Sequence, residues 1–226
     1  MADFAAANAV VSFNEGGYAN HPADKGGETY AGITRKYFPN WEGWSAVDRA
    51  KPLKTNAKIP ALTPLVTKFY RETLWDANNL ASIANQQVAN NVLDSLVLHG
   101  YGAHLVQQAA VQAGAPIVVD GRLGAKTIAA LNALDPVRFV RLLIARRLVY
   151  MKQLSEWPTF AAGWTKRLEN LGRAIGATLS DAVATAAAAG SAAGSAAGKA
   201  GGGSSLPLLA LAAALAAGLV SGRLRG

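Results

Sequence analysis

The sequence predicts an all-α, mainly helical protein, and three observations lead there. Phe4, Ala7 and Val11 recur at helical spacing behind Asp3, a residue type suited to capping a helix N-terminus. Leu65, Val66, Phe69 and Trp75 repeat that habit after Pro64, which stands where a first turn tolerates proline. Between residues 90 and 175 further apolar series follow: Val92, Leu96 and Leu98, then Leu105 and Val106, Ile128, Leu131 and Leu134, and finally Phe139, Leu142, Leu143 and Leu148. The 226 residues suffice for one good-sized core or two small ones.

The first helix, residues 4–15, delivers a carboxylate. Glu15 lies eleven residues after Phe4, so at about 100° per residue it falls within about 20° of Phe4 around the axis, on the core-facing stripe. Gly16 and Gly17 follow and are expected to supply the positive φ that ends the helix, leaving Glu15 beside the negative end of the macrodipole. Partial desolvation and the dipole both disfavour ionisation. A carboxylic acid kept protonated near neutral pH can protonate a glycosidic oxygen as its bond breaks. Asp24 follows in a loop rich in proline and glycine, more polar and better solvated, where it stays ionised. Two carboxyl groups in unlike environments make an acid and base pair.

The residues Glu15-Gly16-Gly17-Tyr18, then Asn20, Pro22, Asp24, Gly26, Gly27 and Thr29, then Gly32-Ile33-Thr34, closely resemble the N-terminal domain of glycoside hydrolase family 108. These are N-acetylmuramidases common as phage endolysins, with a predominantly helical lysozyme-like fold. The resemblance covers roughly residues 3–90 and implies that Glu15 is the catalytic acid. Other phage lysozymes place an Asp about nine residues after the catalytic Glu and a Thr soon after, which implies Asp24 and Thr29 as the pair that positions water. Tyr18 is expected either to line the groove or to pack behind the Gly-Gly turn, and Asn20 is a further candidate for substrate binding.

Trp41 and Trp44 come next, near several prolines. Their faces can stack on sugar rings, or they can close the edge of a small helical core. The helix from Leu62 to Trp75 is expected to wall the substrate groove. Downstream, Asp120-Gly121-Arg122-Leu123-Gly124-Ala125-Lys126-Thr127 reads as a tight turn into a helix that starts near Ala125. With Trp164 and Arg167 it resembles the peptidoglycan-binding region that commonly follows the family 108 domain, with Asp120, Gly121, Gly124 and Thr127 at the matching positions. Asp120 and Thr127 are accordingly candidates for contact with wall polymer, or simply architecture of the turn. Arg141, Arg146 and Arg147 read as a solvated helix face, or as ligands for teichoic or phospholipid phosphates.

Composition narrows the partners. Lysine and arginine exceed acidic residues by eight, which suits an anionic partner such as a cell wall, a membrane surface or nucleic acid. Nucleic acid is disfavoured because the basic residues are scattered, without a helix-turn-helix, zinc or aromatic-basic signature. There are no cysteines, so no disulfides support the fold. His21, His99 and His104 lack metal-ligand spacing, and neither metal nor cofactor is expected. No signal peptide is evident, since Asp3 interrupts the start and no basic region precedes an apolar core. A holin pore, or injection from a virion, would then carry a protein made in the host bacterial cytoplasm to the periplasm or wall.

From 178 to 205 the sequence is almost only Ala, Gly and Ser, which reads as a flexible linker with some transient helix in its alanine-rich part. The apolar run 206–220 and terminal arginines follow, and residues 206–222 are expected to form a transmembrane or membrane-anchoring helix, or to dock on a partner or on the protein itself. The expected organisation is therefore a muramidase domain over 3–90, a helical peptidoglycan-binding region over 91–177, a linker over 178–205 and the apolar tail helix over 206–222. The leading expectation is hydrolysis of the β-1,4 bond between N-acetylmuramic acid and N-acetylglucosamine. A separation of about 6.5 to 9.5 Å between the two carboxyls would fit inversion, and one near 5 Å a covalent intermediate. The rival readings are a lytic transglycosylase, which needs no water-activating carboxylate, and a non-catalytic wall-binding virion protein.

Overall fold

The computed structural model describes residues 1–14, 16–20, 27–98 and 100–197. It is mainly helical, with nine α-helices and one small sheet among the described residues. The chain divides into two compact units, Met1–Gly102 and Ala103–Gly226.

In the first unit α1 spans Phe4–Asn14. Its start is fixed from two sides: the Asp3 carboxylate accepts from the Ala6 N–H at 2.8 Å, and Gln86 exchanges hydrogen bonds with the Asp3 backbone. Ala7 and Val11 are fully buried, and α1 packs on α4, Gln86–Leu98. Helix α4 also buries Asn90, Asn91, Asp94 and Ser95, a polar face that its apolar series does not announce.

Three two-residue strands follow α1: β1 Tyr18–Ala19, β2 Thr29–Tyr30 and β3 Ile33–Thr34, paired antiparallel in that order. Tyr30 faces Ile33 across a two-residue turn in which Ala31 and Gly32 have φ of 45° and 77°. Helix α2, Trp44–Arg49, and α3, Thr63–Tyr70, complete the cover of this sheet. Pro64 sits in the first turn of α3, which runs into a wider π turn over Arg71–Asp76. Tyr18, Tyr30, Ile33, Trp41, Trp44, Val47 and Leu62 form one buried cluster.

In the second unit are α5 Gly102–Ala113, α6 Ala125–Ala133, α7 Pro136–Lys152, α8 Trp157–Arg173 and α9 Leu179–Ala197. Helix α7 opens on Pro136, with the Asp135 carboxylate accepting from the Arg138 N–H at 2.6 Å. Its buried residues Phe139, Leu142, Leu143 and Ile144 form the centre against which α8 and α9 pack.

Two expectations change here. Residues 179–197, read as part of a linker, form α9, and Ala182, Val183, Ala186 and Ala189 are buried. Alanine has the highest helix propensity, and its small side chain lets a helix lie close against α7, so a low-complexity stretch becomes a packed element. Arg146 and Arg147 do not belong to a solvated face. Arg147 is fully buried, and burial pushes the Arg146 guanidinium down to about 10 while it donates to Gln108 at 3.3 Å. Among the described residues no helix is long and apolar enough to cross a membrane. The expected tail helix, 206–222, lies outside the described residues.

Candidate active site

The site is built where the chain leaves α1. Gly17 is needed for space and not for a positive φ: a Cβ there would lie 2.1 Å from the Ala57 carbonyl oxygen. That approach lets the Tyr18 N–H donate to the Ala57 carbonyl at 2.8 Å and the Tyr18 carbonyl accept from the Asn56 N–H at 2.7 Å. The Gly17 carbonyl accepts from the Ala31 N–H at 3.0 Å, which ties the chain after α1 to the β2–β3 turn.

A recess of about 230 Å³ opens beside these residues. It is lined by Ser12 of α1, by Gly16 and Gly17, by Tyr30 and Ala31 of the turn, by Lys58, Ile59 and Pro60, and by Thr63, Val66, Thr67 and Tyr70 of α3. Pockets that enclose a small molecule are commonly about 300 to 1,000 Å³. This recess is smaller than that range and open on one side.

Its walls are pinned by tyrosines. The Tyr30 hydroxyl accepts from the Ile59 N–H at 2.7 Å and donates to the Ile59 carbonyl at 3.2 Å. The Tyr70 hydroxyl donates to the Ala31 carbonyl.

Glu28 is the polar centre behind β2, and sequence reasoning gave it no role. Its side chain is 14% exposed and pairs with Arg35 Nε at 2.5 Å and Lys51 Nζ at 2.7 Å. The Tyr18 hydroxyl donates to it at 3.1 Å. Asp48 binds the same two cations, Arg35 at 2.6 Å and Lys51 at 2.8 Å, so four charges close a ring. The Arg35 guanidinium also stacks over Trp44, 4.3 Å from its ring centre.

Burial would raise the Glu28 pKa, but the hydrogen bonds from Lys51 and Tyr18 and the charges of Arg35 and Lys51 outweigh it and hold Glu28 below the ordinary value. The same contact, together with burial, pushes the Tyr18 phenol up. Glu28 is therefore an anion already committed to two cations. It is poorly suited to donate a proton.

Glu15 and Asp24 lie outside the described residues. Around Glu15 the described chain resumes at once: Ser12, three residues before it, and Gly16, directly after it, both line the recess. Thr29, on β2, is half-buried and its hydroxyl donates to the Gly27 carbonyl at 3.1 Å. Asn20 is exposed where β1 ends. Tyr18 is buried, its ring within the core cluster.

Trp41 and Trp44 are corrected from the sugar-stacking expectation to the core. They are 9% and 3% exposed, pack edge to face at 5.2 Å, and leave no free face for a sugar ring. Trp44 donates its indole N–H to the Phe38 carbonyl at 2.7 Å.

In the second unit the Asp120 turn is organised by Gln107, a residue that the sequence did not single out and that is 1% exposed. Its amide nitrogen donates to Asp120 Oδ1 at 2.8 Å, the Arg122 carbonyl at 3.0 Å and Thr127 Oγ1 at 3.3 Å. Its oxygen accepts from the Asp120 and Gly121 N–H groups at 3.0 and 2.7 Å.

Thr127 is thus buried in the turn and not presented to a polymer. Asp120 remains exposed, and the hydrogen bonds from Gln107 and the Arg122 N–H lower its pKa. Gly121 has φ of 76°, and a Cβ there would meet the His104 ring at 2.3 Å.

Comparison with known proteins follows this division. The profile of Glycosyl hydrolase 108 matches residues 8–100, and that of Predicted Peptidoglycan domain matches 101–169. Among solved structures, the structure of Brucella abortus SagA aligns with a TM-score of 0.57 and 30% identity over 76% of this chain and 93% of that one. No curated protein sequence matches. A glycosyl hydrolase 108 region over residues 8–100, followed by a predicted peptidoglycan domain over 101–169, defines a peptidoglycan-degrading glycoside hydrolase. The chain belongs to the glycosyl hydrolase 108 family.

Proposed function

We propose that the protein is an N-acetylmuramidase that hydrolyses the β-1,4 bond between N-acetylmuramic acid and N-acetylglucosamine. Glu15 is the general acid, Asp24 the base that orients water, and Thr29 assists it. The observation that carries this reading is the recess lined by Ser12 and Gly16, the residues that bracket Glu15 in the chain. A groove at that point would offer a glycosidic oxygen to the carboxyl, while the pinned backbone of Gly17, Ala31 and Ile59 holds the glycan in one register.

The commitment of Glu28 to Arg35 and Lys51 supports the division of labour, because it leaves the neighbouring loop's Asp24 as the carboxylate for water. The setting we propose is a phage protein made in the cytoplasm of an infected bacterium. It acts on the wall during lysis or infection, with residues 206–222 as a membrane anchor; recovery of the chain without those residues in the soluble fraction, and of the full chain with membranes, tests the anchor.

The test of the chemistry is turbidity loss of purified sacculi with wild type and Glu15→Gln, followed by mass spectrometry of the fragments. Reducing muramic ends that vanish in the variant are expected. Anhydro ends would reassign the enzyme as a lytic transglycosylase, and sacculus binding without release by either protein would leave a wall-binding protein.

A further inference from the structure

Lys58 stands apart from every other residue around the recess. It is the one charged side chain among the described lining residues, and it makes no ion pair among the described residues. Of the other cations of this unit, Arg35 and Lys51 pair with Glu28 and Asp48, Lys68 with Glu42 and Arg71 with Asp76, and none of these lines the recess.

The backbone that carries Lys58 is fixed on both sides. Ala57 accepts from Tyr18, and Ile59 is clamped by the Tyr30 hydroxyl, so the lysine stem leaves from a held position. Lys58 itself is exposed to solvent at the recess, and the wall beside it is built from Ile59, Pro60, Val66 and ring faces.

We infer that Lys58 recognises a carboxylate on the glycan and so selects muramic-acid strands over neutral polymers of N-acetylglucosamine. This rests on the reading of the recess as the groove of a muramidase. The reason is the chemistry of the polymer. A chain of N-acetylglucosamine alone is neutral, whereas every second sugar of the wall glycan carries a lactyl group whose carboxyl is either free or extended by a peptide stem with carboxylates of its own. Among the described residues Lys58 has no ion-pair partner and no other charge lines the recess, so only the second kind of strand brings it a carboxylate. Two sources share that chemistry, the free lactyl carboxylate and the stem.

The experiment uses the full chain and three soluble substrates: glycan strands with peptide stems, strands stripped by an amidase so that the lactyl carboxylates are free, and stripped strands whose carboxylates are converted to neutral methylamides. For wild type, KM on the methylamide strands should exceed that on at least one carboxylated substrate by about fivefold, and the difference should shrink at high salt. For Lys58→Gln the KM values on carboxylated and neutral strands should coincide, while Lys58→Arg and the exposed control Lys54→Gln should discriminate as wild type does.

Wild-type preference for stem-bearing strands alone assigns the stem as the source, and preference for both carboxylated strands assigns the lactyl group. Equal wild-type KM on all three substrates overturns the inference, as does undiminished discrimination by Lys58→Gln. If wild type cleaves none of the strands, the muramidase reading fails first and this inference falls with it.

Discussion

Replacing Glu28 by glutamine tests whether the charged ring holds β1 and β2 together. The substitution keeps shape and removes charge, so what is lost is two ion pairs, at 2.5 and 2.7 Å, and the charge assistance of the Tyr18 hydrogen bond. Hydrogen bonds to a charged group contribute about 1.5 to 3 kcal/mol where they are buried, and exposed pairs about 0 to 1 kcal/mol. Glu28 is 14% exposed, but Arg35 and Lys51 are 31% and 38% exposed, so the lower half of that range applies. Asp48 continues to hold both cations, and glutamine can still accept from one donor. Together these give a loss of about 2 kcal/mol for Glu28→Gln.

Sign and pH follow from the depressed carboxyl. Its folded pKa lies below the ordinary 4.5, so its contribution is full above that value and is lost as pH falls through the folded pKa. Urea unfolding of both proteins, followed by fluorescence of the buried tryptophans Trp41 and Trp44, should show a gap of about 2 kcal/mol at pH 7 that persists to pH 5 and narrows below 4.5. A gap below about 0.5 kcal/mol at pH 7, or one unchanged on acidification, would refute the reasoning.

Two further outcomes follow from single positions. Gly17→Ala should lose about 3 kcal/mol or more and most of the lytic activity, because a Cβ 2.1 Å from the Ala57 carbonyl forces the strand off its partner; thermal unfolding and sacculus turbidity measure the two effects. Gln107→Leu should cost about 2 to 4 kcal/mol by leaving the Asp120 and Gly121 N–H groups and the Thr127 hydroxyl without their partner; an unfolding midpoint equal to wild type would show that Gln107 does not organise the turn.

The helices were legible because their signals are local. Asp3 caps α1 as its type suggests, Pro64 opens α3, and the Asp-Gly turn leads into α6 at Ala125. The features that escaped are those whose partners are distant in sequence. Glu28 meets Lys51 across 23 residues and Gln107 meets Thr127 across 20, and nothing periodic in the chain marks either pair. Trp41 and Trp44 show why aromatic residues mislead: the same large face serves a sugar or a core, and the β1–β3 sheet is too small to bury itself without them. In Gly17 the residue was noticed but the cause was different, a close backbone approach and not a helix stop. Alanine-rich α9 lacks the large side chains by which a core helix is usually recognised.

That last helix sets a length. Read as linker, residues 178–205 would place up to roughly 100 Å of chain between the second unit and the apolar run, at about 3.5 Å per residue. Because α9 continues to Ala197, only eight residues, 198–205, remain before Leu206. Eight residues reach at most about 30 Å. The apolar run is on a short leash: a surface engaged by its first residue, as the proposed anchor requires, would have to come within about one bilayer thickness of the end of α9. On the proposal that residues 206–222 anchor the enzyme, lengthening the 198–205 interval with glycine and serine would widen the shell of wall it reaches, and shortening it would narrow that shell without touching a residue of the recess.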